Sequence, residues 1–364
     1  MATGSVTVKD VAREAAVSIG TVSRVFNNHA NVAEDVRQRV LKTATELGYR
    51  GAAGNHASPA LDGRDKRDRR NRRGPRDIGF LFRPVNDDTV ASTNPFWSHI
   101  LAGVEAEAIT SNARLTYRSI TELRHQPEAM LRAVQDMRLD GMLLVGPAEL
   151  EVVRALQSTR LPLVLVEQYF PDQGLEAVIA NYFDGARRAT EYLIAQGHRE
   201  IAIVNGPMDG GAPARNTLYP LELRAQGYRS ALIEAALPVR HDLSEGSNLT
   251  PSGGYEACRR LLDRGAPFSA LFCANDWVAI GAMKALREAG RDVPADVSLV
   301  GFGDFPDLAD HLMPPLTTMH VDMRVLGGTA VKRLLARVAD RGMPPVLNML
   351  DVALVERQSV RRVT

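Results

Sequence analysis

The chain has 364 residues, 45% apolar and 24% charged, an ordinary soluble-globular mix long enough for two or three domains. Its apolar runs, such as Leu161 to Val166, fall far short of the roughly 18 residues a membrane helix needs, and Cys258 and Cys273 suit neither a disulfide framework nor a zinc site. The net charge of +1 hides a division at Arg76, with +7 on residues 1–76 and −6 on residues 77–364, the pattern of a nucleic-acid-binding head on a body with a different partner.

The N-terminal residues run into an amphipathic pattern without the charged and apolar regions of a secretory signal, so a cytoplasmic protein is expected. Thr7 can cap a first helix, with Asp10 completing a capping-box-like pair and Val8, Val11, Ala12 and Ala15 at helical spacing. After Ala16-Val17, Ser18 offers a second N-cap ahead of the stripe Val22, Val25 and Phe26. A third stripe, Val36, Val40, Ala44 and Leu47, stops at Gly48. Three short helices with a tight first turn fit a helix-turn-helix over residues 1–50, and a generic three-helix bundle fits the pattern as well.

Periodicity is lost between Gly51 and Arg76, where glycines, Pro59, Pro75 and a dense run of basic side chains read as a flexible linker over residues 51–76. From Asp77 the chain alternates short apolar runs with amphipathic helical stretches. Strands are expected at Ile78 to Phe82, Leu115 to Ile120, Gly141 to Val145, Leu163 to Val166, Ile201 to Asn205, Ala270 to Cys273 and Ser298 to Gly301. Helices are expected at Pro95 to Ser111, Pro127 to Arg138, Phe183 to Gln196 and Trp277 to Ala289. Residues 77–364 are too many for one doubly wound sheet, which leads to two such subdomains facing each other across a cleft, with ligands at the carboxyl ends of the strands. Crossovers between the subdomains are expected near 180, 323 and 343.

Residues 6–50 resemble the DNA-binding head of the lactose-repressor (LacI/GalR) family, above all in Lys9-Asp10-Val11-Ala12, Val17-Ser18, Thr21-Val22-Ser23-Arg24-Val25 and Glu46-Leu47-Gly48-Tyr49. Asn94-Pro95-Phe96-Trp97, Gly197-His198, Asn275-Asp276, Gly281-Ala282-Met283 and Pro314-Pro315-Leu316-Thr317-Thr318 resemble the family's effector-binding core, itself similar to periplasmic sugar-binding proteins. The resemblance implies a helix-turn-helix head on a periplasmic-binding-protein-like α/β core of two doubly wound parallel-sheet subdomains. It implies a dimeric transcription regulator, normally a repressor, whose affinity for double-stranded operator DNA changes when a small molecule, usually a carbohydrate, closes the core. In the head it gives Thr7, Ser18, Ile19, Gly20, Thr21, Ser23, Arg24, Asn27 and Tyr49 as DNA-binding residues. Arg24 is the candidate for direct readout, because a guanidinium can bond both O6 and N7 of guanine; a phosphate contact is the alternative. Ala16 stands where the family usually has glycine in the tight turn, which strains a residue near left-handed conformation.

For the effector cleft the resemblance gives Phe96, Trp97, Glu167, Arg224, Asn275 and Asp304. Aromatic faces stack on a pyranose, and carboxylate, guanidinium and amide groups bond hydroxyls. Each residue also has an ordinary structural role open to it: Phe96 or Trp97 in the core, Arg224 in an ion pair with Glu222, Asn275 or Asp276 as a helix cap. The family often carries an acidic pair in the stretch where Gly303-Asp304 stands here, so the cleft has lost one carboxylate. Either Asp304 compensates or the ligand differs from a simple hexose.

A sugar-binding protein without a regulatory role is the rival reading, disfavoured by the helical head. An enzyme is not expected, since no phosphate loop, GxSxG elbow or HExxH motif occurs; no metal or cofactor is expected either. Pro344-Pro345 precede an apolar strand-like run, Val346 to Val355, and no heptad tail follows, which favours a homodimer. The linker departs most from the family. Tyr49-Arg50 is followed by Gly51 rather than proline, and Ser58 falls where relatives carry the leucine of a DNA-induced hinge helix. The hinge helix is expected to be weak or absent, its contribution partly replaced by contacts of the arginines in the linker's second half with phosphates or a narrow minor groove; a solvated tether is the alternative. Each phosphate neutralised adds about 0.9 to the slope of log affinity against log salt. Changing Arg67, Arg69, Arg70, Arg72 and Arg73 to Ser should therefore flatten the slope of DNA binding by several units; an unaltered slope would reduce the linker to a spacer.

Overall fold

The computed structural model describes residues 8–18, 21–22, 25, 33–47, 75–82, 95–120, 126–209, 212–213, 219–305 and 308–363. The chain separates into two compact units, residues 1–72 and 73–364.

In the first unit, helices α1 (Val8–Glu14) and α2 (Glu34–Glu46) pack with helical residues Thr21, Val22 and Val25. The buried side chains Val11, Ala12, Ala15, Val22, Val25, Val40 and Ala44 are the expected stripes, turned toward one another. Ser18 caps as expected: its Oγ accepts from the Thr21 amide at 3.1 Å, and the Val22 amide bonds back to the Ser18 carbonyl at 3.1 Å. The tight turn before it forces Ala16 to φ 52°, left-handed backbone in a residue with a Cβ.

The second unit holds two open sheets. The first comprises β1 (Arg76–Phe82), β2 (Ala113–Ser119), β3 (Gly141–Val145), β4 (Leu163–Val166), β5 (Glu176–Ala180) and β13 (Leu347–Leu350), in the order β13-β5-β4-β3-β1-β2. The second comprises β6 (Ile201–Asn205), β9 (Ser244–Gly246), β10 (Ala270–Cys273), β11 (Ser298–Gly303), β12 (Thr317–His320) and β14 (Ala353–Val355), in the order β14-β12-β11-β10-β6-β9. Every pairing is parallel except β12 with β14. Runs such as Gly141–Val145 and Leu163–Val166 are apolar throughout because helices cover both faces of a parallel sheet. A small hairpin, β7 (Met208–Asp209) with β8 (Ala212–Pro213), follows β6.

Helices α3 (Pro95–Thr110) and α10 (Met323–Ala339) pack together on the first sheet, and α6 (Tyr182–Ala195) and α7 (Tyr219–Glu234) on the second. The α3–α10 approach needs glycine: a Cβ at Gly103 would lie 2.0 Å from the Arg324 carbonyl oxygen. The first subdomain also carries α4 (Pro127–Asp136) and α5 (Leu150–Ser158), the second α8 (Pro251–Asp263) and α9 (Asp276–Glu288). Among the described residues no helix is long and apolar enough to cross a membrane. Cys258 and Cys273 are buried free thiols.

The chain passes between the sheets after Ala180, after His320 and after Leu350. The last crossing corrects the expectation of one near 343. The apolar run Val346 to Val355 is two strands, one on each sheet, broken at Asp351-Val352. The Asn181 amide bonds the Leu350 carbonyl at 2.8 Å, extending the first ladder to its end. Val352 is then buried against the second subdomain, where Arg188 Nη1 donates to its carbonyl at 2.7 Å.

Glycine adopts a left-handed conformation without the Cβ penalty, so Ala16→Gly is expected to stabilise the head by about 1 kcal/mol. Chemical denaturation followed through the head transition checks this, and a midpoint that falls would show the turn to be unstrained.

Candidate functional site

In the head, Ser18 and Thr21 are held together, their hydroxyl oxygens 2.9 Å apart at the start of the second helical segment. Thr7, Ile19, Gly20, Ser23, Arg24, Asn27 and Tyr49 lie outside the described residues, as does the linker from Gly51 to Gly74.

In the core unit the strand order reverses between β1 and β3 in one sheet and between β6 and β10 in the other, opening a crevice at the carboxyl ends of the strands. Glu167 follows β4 with φ 63° and is buried. One carboxylate oxygen accepts from the Ala180 amide at 3.2 Å and the other from the Tyr182 hydroxyl. Burial pushes its pKa up to about 7, opposed by the Tyr182 hydrogen bond and by the charge of Arg224. Tyr182 is the first residue of α6, just past the first crossing, and burial and the nearby Glu167 charge hold its phenol well above the ordinary range.

Arg224, on α7, is only 9% exposed. Its guanidinium carbon lies 4.1 Å from the Tyr182 ring centroid and 4.6 Å from that of Phe302 on β11. Burial lowers its pKa, opposed by Tyr182 and Glu167. Its Nε is buried and has no hydrogen-bond partner. The ion pair with Glu222 does not form, and Glu222 instead accepts from Gln226 at 3.1 Å.

The aromatic candidates divide. Trp97 is 6% exposed and packs edge-on against Phe82 with centroids 5.6 Å apart, which makes it part of the core beneath the cleft. Phe96 is half-buried, meets Trp97 at 4.7 Å and reaches Phe305 of the second subdomain at 6.2 Å. Phe305 also faces Trp277 at 6.0 Å. Tyr169, two residues past Glu167, meets Tyr219 at the start of α7 at 5.1 Å.

Asn275 is the N-cap of α9: its Oδ1 accepts from the Val278 amide at 2.8 Å and its Nδ2 donates to the Leu249 carbonyl at 3.2 Å. Asp276 is fully buried, accepting from the Thr318 hydroxyl at 2.6 Å and the Phe305 amide at 3.0 Å, and burial raises its pKa to about 6. Asp304 is also committed: Arg357 Nη2 donates to one oxygen at 2.8 Å, and His320 Nδ1 lies 3.0 Å from the other. Each of its oxygens thus already has a partner within the second subdomain. Two residues not among the sequence's site candidates end in unpartnered buried oxygens at the strand ends, Gln168 Oε1 beside Glu167 and Asn205 Oδ1 closing β6. Their position just after apolar runs is the signal that could have marked them.

Two doubly wound subdomains joined by three crossings, with a polar and aromatic crevice between their strand ends and a helical head, define a ligand-responsive regulator of the periplasmic-binding type. Residues 190–360 match the periplasmic binding protein-like domain, and residues 7–51 match the bacterial regulatory proteins of the lacI family. The ribose operon repressor of Escherichia coli (strain K12) is 31% identical over 355 residues, 97% of this chain and 99% of that one. Among solved structures, the transcriptional regulator CelR in its cellobiose complex is 27% identical with a TM-score of 0.70, over 97% of this chain and 99% of that one. The lac repressor dimer bound to operator and the anti-inducer ONPF is 26% identical with a TM-score of 0.70, over 98% and 100%. The chain belongs to the lacI family of bacterial regulatory proteins.

Burial raises Glu167 from 4.5 to about 7 and Asp276 from 3.8 to about 6, so across that range the native core binds protons the unfolded chain has released. Its stability is expected to fall as pH rises from about 4 to about 7 and then to level as far as these groups contribute. Glu167→Gln should remove the upper part of the fall, checked by thermal unfolding from pH 5 to 8; an unchanged profile would place the titration elsewhere.

Proposed function

We propose that the chain is an operator-binding transcriptional repressor, working as a homodimer, whose DNA affinity is set by a hydroxyl-rich small molecule held in the cleft of residues 77–364. The observation that carries the reading is three of the four buried side-chain polar atoms without partners among the described residues, Gln168 Oε1 and Asn205 Oδ1 by the ends of β4 and β6 and Arg224 Nε on α7, the fourth being Arg337 Nε. A buried polar atom without a partner is costly, and a ligand offering both acceptors and donors satisfies all three. The ligand held by CelR, cellobiose, is of that kind.

In this reading residues 1–50 contact the operator, with Arg24 reading guanine, and residues 51–76 carry phosphate contacts. Phe96 and Arg224 close on the ligand from opposite subdomains, and Glu167 positions Tyr182 and Arg224 beneath it. Asn275 shapes the rim by fixing the start of α9. The cleft binds its ligand without turning it over. Its raised carboxyls, Glu167 and Asp276, are each held by chain donors, which leaves them unsuited to act as an acid and base pair.

Selection from a random DNA pool gives the operator, and its gel mobility with this chain is then followed as candidate sugars are added. The wild-type complex is expected to respond to one of them. Arg224→Ala should still retard the DNA but lose that response; a variant that responds at wild-type concentrations would show the cleft assignment to be wrong.

A further inference from the structure

The geometry points to a second binding site, for a phosphate group, in a cavity of about 230 Å³ at the end of the first subdomain away from the cleft. The cleft lies past the carboxyl ends of the strands, whereas this cavity is lined by Leu163, which opens β4, and by Glu176, which opens β5. Its polar wall is made by Arg160, just past α5, by Arg337 near the end of α10 and by Arg341 beyond it, around the carboxylate of Glu176. Leu161 and Leu175 add an apolar side.

Glu176 is buried and both its oxygens are taken. Arg333 Nε donates to one at 2.5 Å, and the Val346 amide at 3.1 Å and Arg337 Nη1 at 3.4 Å donate to the other. Arg337 is left incomplete. Its Nη1 also reaches the Met343 carbonyl at 3.0 Å, but its Nε is buried without a partner, and among the described residues nothing accepts from its Nη2. Arg341 Nη1 donates to the Arg160 carbonyl at 3.3 Å, which holds these two arginines side by side. Among the described residues neither has a carboxylate within 4 Å. Asp340, next to Arg341 in the chain, turns instead to the Gly342 amide at 2.9 Å. The carboxyl ends of α5 and α10 each add about half a negative charge. With Glu176 and Asp340 they offset about three of the four positive charges on Arg160, Arg333, Arg337 and Arg341, and the cavity keeps an excess of about one. Planar guanidinium forks match the oxygens of a phosphate group, which supplies the charge and the acceptors this wall lacks. The apolar side suits the organic body of a phosphate monoester.

The test is calorimetric titration of the full chain, at constant ionic strength, with inorganic phosphate and with phenyl phosphate. Saturable binding of one probe per chain is expected, and the two arms distinguish the sources: equal affinities assign the cavity to the free ion, tighter phenyl phosphate to a monoester. A charge-assisted hydrogen bond corresponds to at least about a tenfold gain, so the double variant Arg160→Gln, Arg341→Gln should bind at least about tenfold more weakly. Both side chains are exposed and lie outside the Glu176 pairs, so their loss leaves the fold in place, which thermal unfolding of the variant checks. Arg224→Ala, altered in the cleft, should retain the phosphate affinity. Absence of saturable binding would overturn the inference. Binding that survives the double variant and is lost in Arg224→Ala would also overturn it, by placing the anion in the cleft.

Discussion

A buried guanidinium at the junction of two subdomains is the constraint on which the core depends. Arg224 comes from the second subdomain and Glu167 from the first, and Tyr182 between them is the first helical residue after the chain crosses over. Tyr182 bonds Glu167 with its hydroxyl and offers its ring face to Arg224, so one side chain joins both charges across the crossing. Such a group is costly to bury and sensitive to what completes it. A ligand that supplies the missing partner changes the energy of the arrangement that brings the subdomains together. That is what a population shift between open and closed cores requires.

The remaining contacts across the cleft are compatible with a shallow equilibrium. Phe96 meets Phe305, and Tyr169 meets Tyr219, edge to face. Aromatic pairs of this kind contribute about 0.5 to 1.5 kcal/mol each beyond the area they bury. A ligand with a few kcal/mol of preference for the closed core is enough to move most of the population. The second subdomain meanwhile is braced by its own C-terminal segment, where Ser359 bonds Leu299 and Thr317, and Arg357 pairs with Asp304 and Asp310.

Most of this architecture is written in local sequence. The bounds of β3, β4, β6 and β10 coincide with apolar runs, because a strand covered on both faces has no polar side to interrupt it. Ser18 and Asn275 are legible as caps because capping is settled within three residues. Strands β5 and β12 escape the pattern. Glu176 opens β5 fully buried, bonded to Arg333 at 2.5 Å, and Thr317 and Thr318 in β12 are satisfied by the distant partners Ser359 and Asp276. The site shows the same division. The resemblance points to Arg224 and Glu167, but the side chains that decide their chemistry are remote in sequence. The sequence leaves the role of Asp304 open, and its bond to Arg357, 53 residues later, is visible only in the structure. Trp97 reads equally as a stacking platform or a core residue until Phe82 is found beside it.

The central claim is that Arg224 Nε lacks a partner within the chain and gains one from the effector. The side-chain Nε–H resonance of Arg224 in nitrogen-15-labelled protein, assigned by its loss in Arg224→Lys, reports on that bond directly. Saturation with the effector should move the resonance downfield and slow its exchange with water markedly. A resonance unmoved at saturating effector, with exchange as fast as before, would place the ligand elsewhere and contradict the account.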